Sequence, residues 1–262
     1  MRALHVLVLR TGARYPPPMF AHTLQPLVDR LCLRSVLNQE EQQAILALPT
    51  ESEHVLGRHD LVSLGEQTQS SYLVVSGIIG RFSQMRDGVR QIVALHIPGD
   101  MADLCSVALP KTSWAFHALA PSLLMGVRHA DLIAIADHYP NIAMAFWRDC
   151  VADMAVMSEW IVSVARRSSE AKLAHLLCEL HCRYKQAGLL ASDGSYALPV
   201  TQAQIAEILG ITAIHVNRMV RSLRESGLAT IARSTITIID LPGLTRLAEF
   251  NAAYLHLGEQ AA

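Results

Sequence analysis

Thr201 to Gly227 reads TQAQIAEILGITAIHVNRMVRSLRESG, and its spacing decides how the rest of the chain is read. Ile205, Ala206 and Leu209 recur as the inner face of one short helix. Gly210 takes the turn, where a residue without a Cβ enters φ > 0 at little cost, and Ile211 plugs the corner. Thr212 caps a second helix whose Val216, Met219, Val220 and Leu223 fall at helical spacing before Gly227 ends it. A small Ala206 lets the two helices cross closely. This is the spacing of a helix-turn-helix, in which the second helix lies in the major groove of DNA. The outward face of that helix carries Ile214, His215, Asn217, Arg218 and Arg221.

The totals are compatible with such a module attached to something else. The chain has 262 residues and is 51% hydrophobic, enough for one large or two smaller globular units. Its net charge of −1 excludes a uniformly basic nucleic-acid binder, but residues 166–250 hold ten Lys/Arg and seven Asp/Glu, so the positive charge gathers around the motif. Five scattered cysteines (Cys32, Cys105, Cys150, Cys178, Cys182) predict reduced thiols and a cytoplasmic setting rather than a disulfide framework. No apolar run approaches the roughly 20 residues of a membrane span, so no membrane partner is expected. The opening MRALHVLVLR lacks a small-residue cleavage site, which argues against a signal peptide; residues 1–21 read as a loose arm ending in Pro-rich sequence.

Before the motif, residues 22–48 show short helical patterns, and from about 54 to 130 β-rich runs alternate with turn residues. The clearest piece is IIGRFSQMRDGVRQIVALHIPGD, with Asp87-Gly88 between two strand-like runs. About eight short strands suffice for a jelly roll. Pro140 opens a helix over 140–166, ~40 Å long. Ala143, Trp147, Cys150, Met154, Met157, Ile161 and Val164 alternate four and three apart along it, an a/d seam that predicts a homodimer. Ser168-Ser169 break the helix. Another helix follows to Gly188, then a short strand from Ala197 to Val200, the helix-turn-helix, a two-stranded wing with Arg233-Ser234 at its tip, and a final amphipathic helix LPGLTRLAEFNAAYL. The expected fold is α+β: a jelly-roll barrel over 22–139, a dimerisation helix over 140–167, and a winged helix-turn-helix over 168–262.

That order resembles the Crp-Fnr superfamily of transcription regulators, on the strength of YLVVSGIIGRF…DGVRQIVALHIPGD, the helix seam and TQAQIAEILGITAIHVNRMVRSLRESGL. The resemblance covers about residues 22–250 and implies a barrel of cyclic-nucleotide-binding type, a homodimer on a near-palindromic operator, and RNA polymerase as a partner. It places the base readers at Arg218, Asn217 and His215. Arginine can give two parallel hydrogen bonds to guanine, and asparagine can pair with adenine. Ala213 and Ile214 depart from the Arg-Glu that the cyclic-AMP receptor protein carries there, so the operator should differ at those bases. Thr201, Thr212, Arg221, Arg233 and Ser234 are placed for phosphates, which position without specifying sequence.

The family's nucleotide clamp uses an arginine beside a Ser/Thr. Here GDMADLCSVALPKTSWAFHAL offers Asp103 and Ser113 as possible effector-pocket residues, and no arginine lies between Arg90 and Arg128. Cyclic AMP is therefore not expected; the alternative is a ligand- or redox-gated regulator with another effector in the roll. An iron–sulfur cluster needs grouped thiolates, and the amino-terminal segment has only Cys32. No haem ligand can be singled out. His175, Cys178, His181 and Cys182 lie on one helix and cannot surround a metal tetrahedrally, so no metal is expected. Cys182, beside Arg183 and Lys185, is a candidate reactive thiol. The chain has no His-x-His pair of the kind cupin-like enzymes use and no serine- or cysteine-nucleophile motif, so it is read as a non-enzyme.

Overall fold

The computed structural model describes residues 23–258, so the arm expected over 1–21 lies outside the described residues. Two short helices come first, α1 (Gln25–Cys32) and α2 (Gln39–Leu46). A reciprocal cap starts α2: the Glu41 N–H donates to the Asn38 side chain at 2.9 Å, and the Asn38 N–H to the Glu41 carboxylate at 2.8 Å.

Eight strands follow: β1 (Glu51–Val55), β2 (Asp60–Val62), β3 (Ser70–Ser76), β4 (Ile79–Gln84), β5 (Arg90–His96), β6 (Met101–Ala102), β7 (Ala115–Ala118) and β8 (Ser122–Arg128). They form two four-stranded antiparallel sheets, ordered β1-β8-β3-β6 and β2-β7-β4-β5. This is the jelly-roll order, with two facing sheets rather than a closed barrel. Asp87-Gly88 stands at the tip of the β4–β5 hairpin, where the Met85 N–H donates to Val89 O at 2.8 Å. Gly77, at φ +87°, turns the chain between β3 and β4 where a Cβ would lie 2.2 Å from Ser122 Oγ. Val55, Val62, Val74, Ile79, Phe116 and Leu124 fill the space between the sheets.

Both outer faces are covered. Leu73, Met125 and Val127 pack against α1 and two further helices, α3 (His129–His138) and α4 (Pro140–Arg166). Phe82, Ile92, Leu95 and Leu119 on the other sheet share one core with the carboxy-terminal half of the chain. That half holds α5 (Ser169–Gln186), β9 (Tyr196–Ala197), α6 (Gln202–Leu209), α7 (Ala213–Glu225), β10 (Ala229–Ala232), β11 (Thr235–Ile238) and α8 (Leu241–Ala248). Ser168 caps α5 where the sequence predicts the break, accepting from Ala171 N at 3.2 Å.

Three expectations need correction. The strand expected over Ala197 to Val200 is confined to Tyr196–Ala197 and pairs with β11, so the wing has three strands, ordered β10-β11-β9. The tail is not one helix: Arg167 donates to Ala248 O at 3.1 Å, Glu249 turns to φ +48°, and a separate 3₁₀ turn, Ala252–Leu255, starts on an Asn251 cap. The residues expected to form the seam do not all lie on one exposed face of α4. Trp147, Met154 and Ile161 are 67%, 62% and 68% exposed. Cys150 is half-buried against the amino-terminal core, and Met157 Sδ accepts a hydrogen bond from Arg81 on β4, so both turn toward their own roll. Val164 is 37% exposed and lies beside Gly210, 3.2 Å from where a Cβ on that residue would stand. The outward row is instead completed by Met144 and Val151, both exposed. An α-helix of 3.6 residues per turn lags a 3.5-residue repeat by about 20° per heptad, and this one carries two apolar stripes that the repeat alone cannot separate.

Candidate nucleic-acid interface

Helices α6 and α7 are set by their caps. The Thr201 hydroxyl accepts from Gln204 N at 3.2 Å while the Gln204 side chain takes the Thr201 N–H at 2.7 Å. Gly210 holds φ +63°, and the Ile211 N–H donates to Ala206 O at 3.1 Å across the turn. The Thr212 hydroxyl accepts from His215 N at 3.4 Å and lies 3.1 Å from the His215 ring nitrogen Nδ1. The expected phosphate contacts Thr201 and Thr212 are thus helix caps first; both remain exposed, and the Thr201 hydroxyl still has a proton to donate.

On α7, Val216, Met219 and Leu223 are buried and orient the helix. Ile214 (83% exposed), His215, Asn217, Arg218, Arg221 and Arg224 face outward. Arg221 pairs with Glu225 at 2.7 Å, an exposed i,i+4 contact that costs little to open. Among the described residues, the side chains of Asn217 and Arg218 have no hydrogen-bond partner, so their polar groups are available to an external one. Beside them the wing turns on two residues: Ala232 pairs with Thr235, and Arg233 and Ser234 between them stand at φ +49° and +65°. Two successive left-handed residues make a type I′ turn, held here without glycine. The Leu198 N–H donating to Ser234 O at 2.7 Å fixes that turn, and the Arg233 side chain is left exposed at the tip.

The helix-turn-helix is docked on the roll. Gln91 of β5 donates to Ile208 O at 3.1 Å, and Gln204 to Leu119 O at 3.2 Å. A buried ion network reinforces the junction. Arg183 of α5 reaches Asp100 Oδ2 at 2.5 Å, Leu95 O at 2.7 Å and Glu179 at 3.1 Å. Asp100 also pairs with Arg30, which reaches Asp149 of α4 at 2.8 Å. Arg34 holds Asp149 at 3.1 Å and Leu255 O at 2.8 Å. Burial opposes ionisation of Asp100, but Arg183 and Arg30 outweigh it and hold the carboxyl below its ordinary range. None of these roles is legible in the sequence, where Asp100 ends a Pro-Gly-Asp turn far along the chain from arginines 30, 34 and 183.

In the roll, Asp103 is buried at φ +61°, with Oδ2 unpartnered, and burial pushes its carboxyl up to about 6. Ser113 is exposed on the loop before β7; the buried hydroxyl next to it is Thr112, which donates to Trp114 O at 2.8 Å. The candidate reactive thiol is corrected. Burial raises Cys182 above its ordinary value despite Lys185, and Cys178 is pushed up to about 12. These are thiols with little thiolate character. His175 and Cys178 of the same helix lie inside the carboxy-terminal core. Among the described residues no helix is long and apolar enough to cross a membrane.

Comparison with known proteins agrees with this geometry. Residues 171–247 match the family model of the Crp-like helix-turn-helix domain. The regulatory protein HlyX of Actinobacillus pleuropneumoniae is 26% identical over 218 residues, 83% of this chain and 90% of that protein. The fumarate and nitrate reduction regulatory protein of Shigella dysenteriae is 23% identical over 221 residues, 84% of this chain and 88% of that one. Among solved structures, FixK2 from Bradyrhizobium japonicum superposes with a TM-score of 0.70 at 24% identity, covering 76% of this chain and 98% of that chain. The wing-flanked pair of helices and these matches define a transcription regulator with a DNA-binding helix-turn-helix. Its roll, long helix and carboxy-terminal module stand in the order found in the Crp-Fnr superfamily, which the chain resembles.

Proposed function

We propose that the protein binds a near-palindromic operator as a homodimer, without cyclic AMP, and acts on transcription through contact with RNA polymerase in the cytoplasm. The observation that carries this reading is the free polar face of α7: Asn217 and Arg218 project from a helix whose other side is locked into the core. In this reading Arg218, Asn217 and His215 read base edges, while Thr201, Thr212, Arg221, Arg233 and Ser234 hold phosphates. The exposed apolar row Met144, Trp147, Val151, Met154 and Ile161 supports pairing along α4, since a monomer would leave it in water. The cyclic-AMP-free part rests on chemistry: the segment matching the family's phosphate clamp presents a buried acid, Asp103, and an exposed Ser113, with no guanidinium between Arg90 and Arg128. The raised thiols speak against the redox-gated alternative. This is a binding role, not a catalytic one.

Selection of bound sites from genomic DNA with the purified protein tests the reading. The expected product is an inverted repeat with half-site centres about one helical turn apart. Enrichment of no motif would overturn it.

A further inference from the structure

Arg81 is the interior residue that neither the DNA face nor the domain junction uses. It lies on β4 on the same strand face as Ile79, pointing between the sheets, and is 4% exposed. A register break sits beside it: Arg81 pairs with Ala94 but Phe82 with Ile92, so one extra residue of β5 bulges there. Bulges bend a strand and re-aim side chains. The guanidinium leaves the roll at its α4 end. Its Nη2 is 2.9 Å from Met157 Sδ and 3.8 Å from Asp153 Oδ2, both on α4, and its centre lies 5.5 Å from the Trp114 ring. A roll strand, the loop after Ser113 and the middle of the long helix therefore meet on one cation.

An interior arginine has a desolvation cost of several kcal/mol, recovered only if its partners are well placed. Its partners here are on α4 and on the Trp114 loop, not on its own sheet. Removing it would leave Asp153 with Arg30 alone, at 3.5 Å. Its Nε is buried with no acceptor, so the side chain is held by its far end and its ring contact rather than by a full set of hydrogen bonds.

We infer that Arg81 is a resident substitute for an effector: it clamps the roll to α4 and keeps the chain in its DNA-binding arrangement with no small molecule bound. By fixing α4 against the roll it fixes, through α4, the position of α5 to α7. Arg81 is a positioning residue and touches no DNA. The inference rests on the operator-binding reading.

The test uses the full-length protein and the operator obtained by site selection. Wild-type protein is expected to bind with no additive, and millimolar cyclic AMP to change nothing. Arg81→Met, close in volume, is expected to lower operator affinity on the order of tenfold, with the protein still folded and dimeric at the assay temperature. Arg81→Ala is expected to show the same loss, partly restored by millimolar methylguanidinium and not by methylammonium. Asp153→Asn, which keeps the shape and removes the charge, provides a second reading if an Arg81 variant does not fold; its affinity is expected to fall in the same direction. Wild-type affinity in Arg81→Met or Asp153→Asn overturns the inference. So does equal rescue by both cations, rescue by neither, or a wild-type protein that binds its operator only with an added nucleotide. A wild-type protein that enriches no site defeats the operator reading instead, so the two failures are separable.

Discussion

Arg218 is exposed, makes no hydrogen bond within the described chain, and sits on the face of α7 opposite Val216 and Leu223. Its replacement should therefore leave folding untouched and act on DNA alone. Arg218→Ala is expected to weaken operator binding by about 1–3 kcal/mol and to relax one base position. Fluorescence anisotropy over operators altered one base at a time checks it; an equal loss on every sequence would make Arg218 a phosphate contact. Residues such as this are legible from a linear pattern because their role follows from helical periodicity over a dozen neighbours. Arg81 is not. A single arginine in a strand can face water or the interior, and only the bulge and the position of α4 decide which.

At the scale of elements, the helix-turn-helix and α4 show opposite degrees of legibility. The first is written in local rules: a capped helix, a left-handed glycine at Gly210 and a second capped helix, each satisfied within a few residues. The long helix is predicted in extent but only half in orientation. Trp147, Met154 and Ile161 point out as the repeat implies, while Cys150 and Met157 point in, because one apolar stripe packs on the roll and another is left exposed. Met154→Glu with Ile161→Glu is expected to convert a dimer to monomer, at a cost of about 3 kcal/mol or more for burying unpaired carboxylates. Cys150→Ser should leave the assembly as it is. Light scattering of both variants decides between the two stripes: a monomer from Cys150→Ser and a dimer from the double variant would restore the seam through 150 and 157.

For the whole molecule, the docking of the carboxy-terminal half on the roll through buried charge makes stability depend on pH. His175 packs against Phe250 and Tyr254 inside the carboxy-terminal half. Glu159 lies 3.4 Å from its Nε2 but is already engaged by Arg167 at 2.7 Å. Burial and the Arg167 charge therefore prevail, and the imidazole is held down to about 4. Between pH 6.5 and about 4 the unfolded chain takes up a proton there that the folded chain refuses, so stability from this group is present above pH 6.5 and is lost as the pH falls through that window. His96, held down to about 3 by burial and Arg81, acts in the same direction. The raised carboxyls of Asp103, Asp149 and Glu179 act in the opposite one. Comparing variants isolates the histidine: His175→Leu is expected to flatten the urea-unfolding free energy between pH 6.5 and 4, removing a slope worth on the order of 2–3 kcal/mol. An unchanged slope would mean that His175 is charged in the folded state.

What could be read along the chain was whatever short-range periodicity and capping specify: the strand-rich half, the break at Ser168, the two helices of the motif, the wing tip at Arg233-Ser234 and the candidate readers on α7. These depend on neighbours within about a dozen residues, where backbone geometry leaves few choices. Three-dimensional packing alone settled which stripe of α4 is left outward, that the tail breaks at Glu249 to bring Leu255 O to Arg34, and that arginines 30, 34, 81 and 183 are interior. Each of those outcomes depends on partners tens to hundreds of residues away. Burial turns a charge from a surface ornament into a structural link only once its counter-charge has been brought beside it.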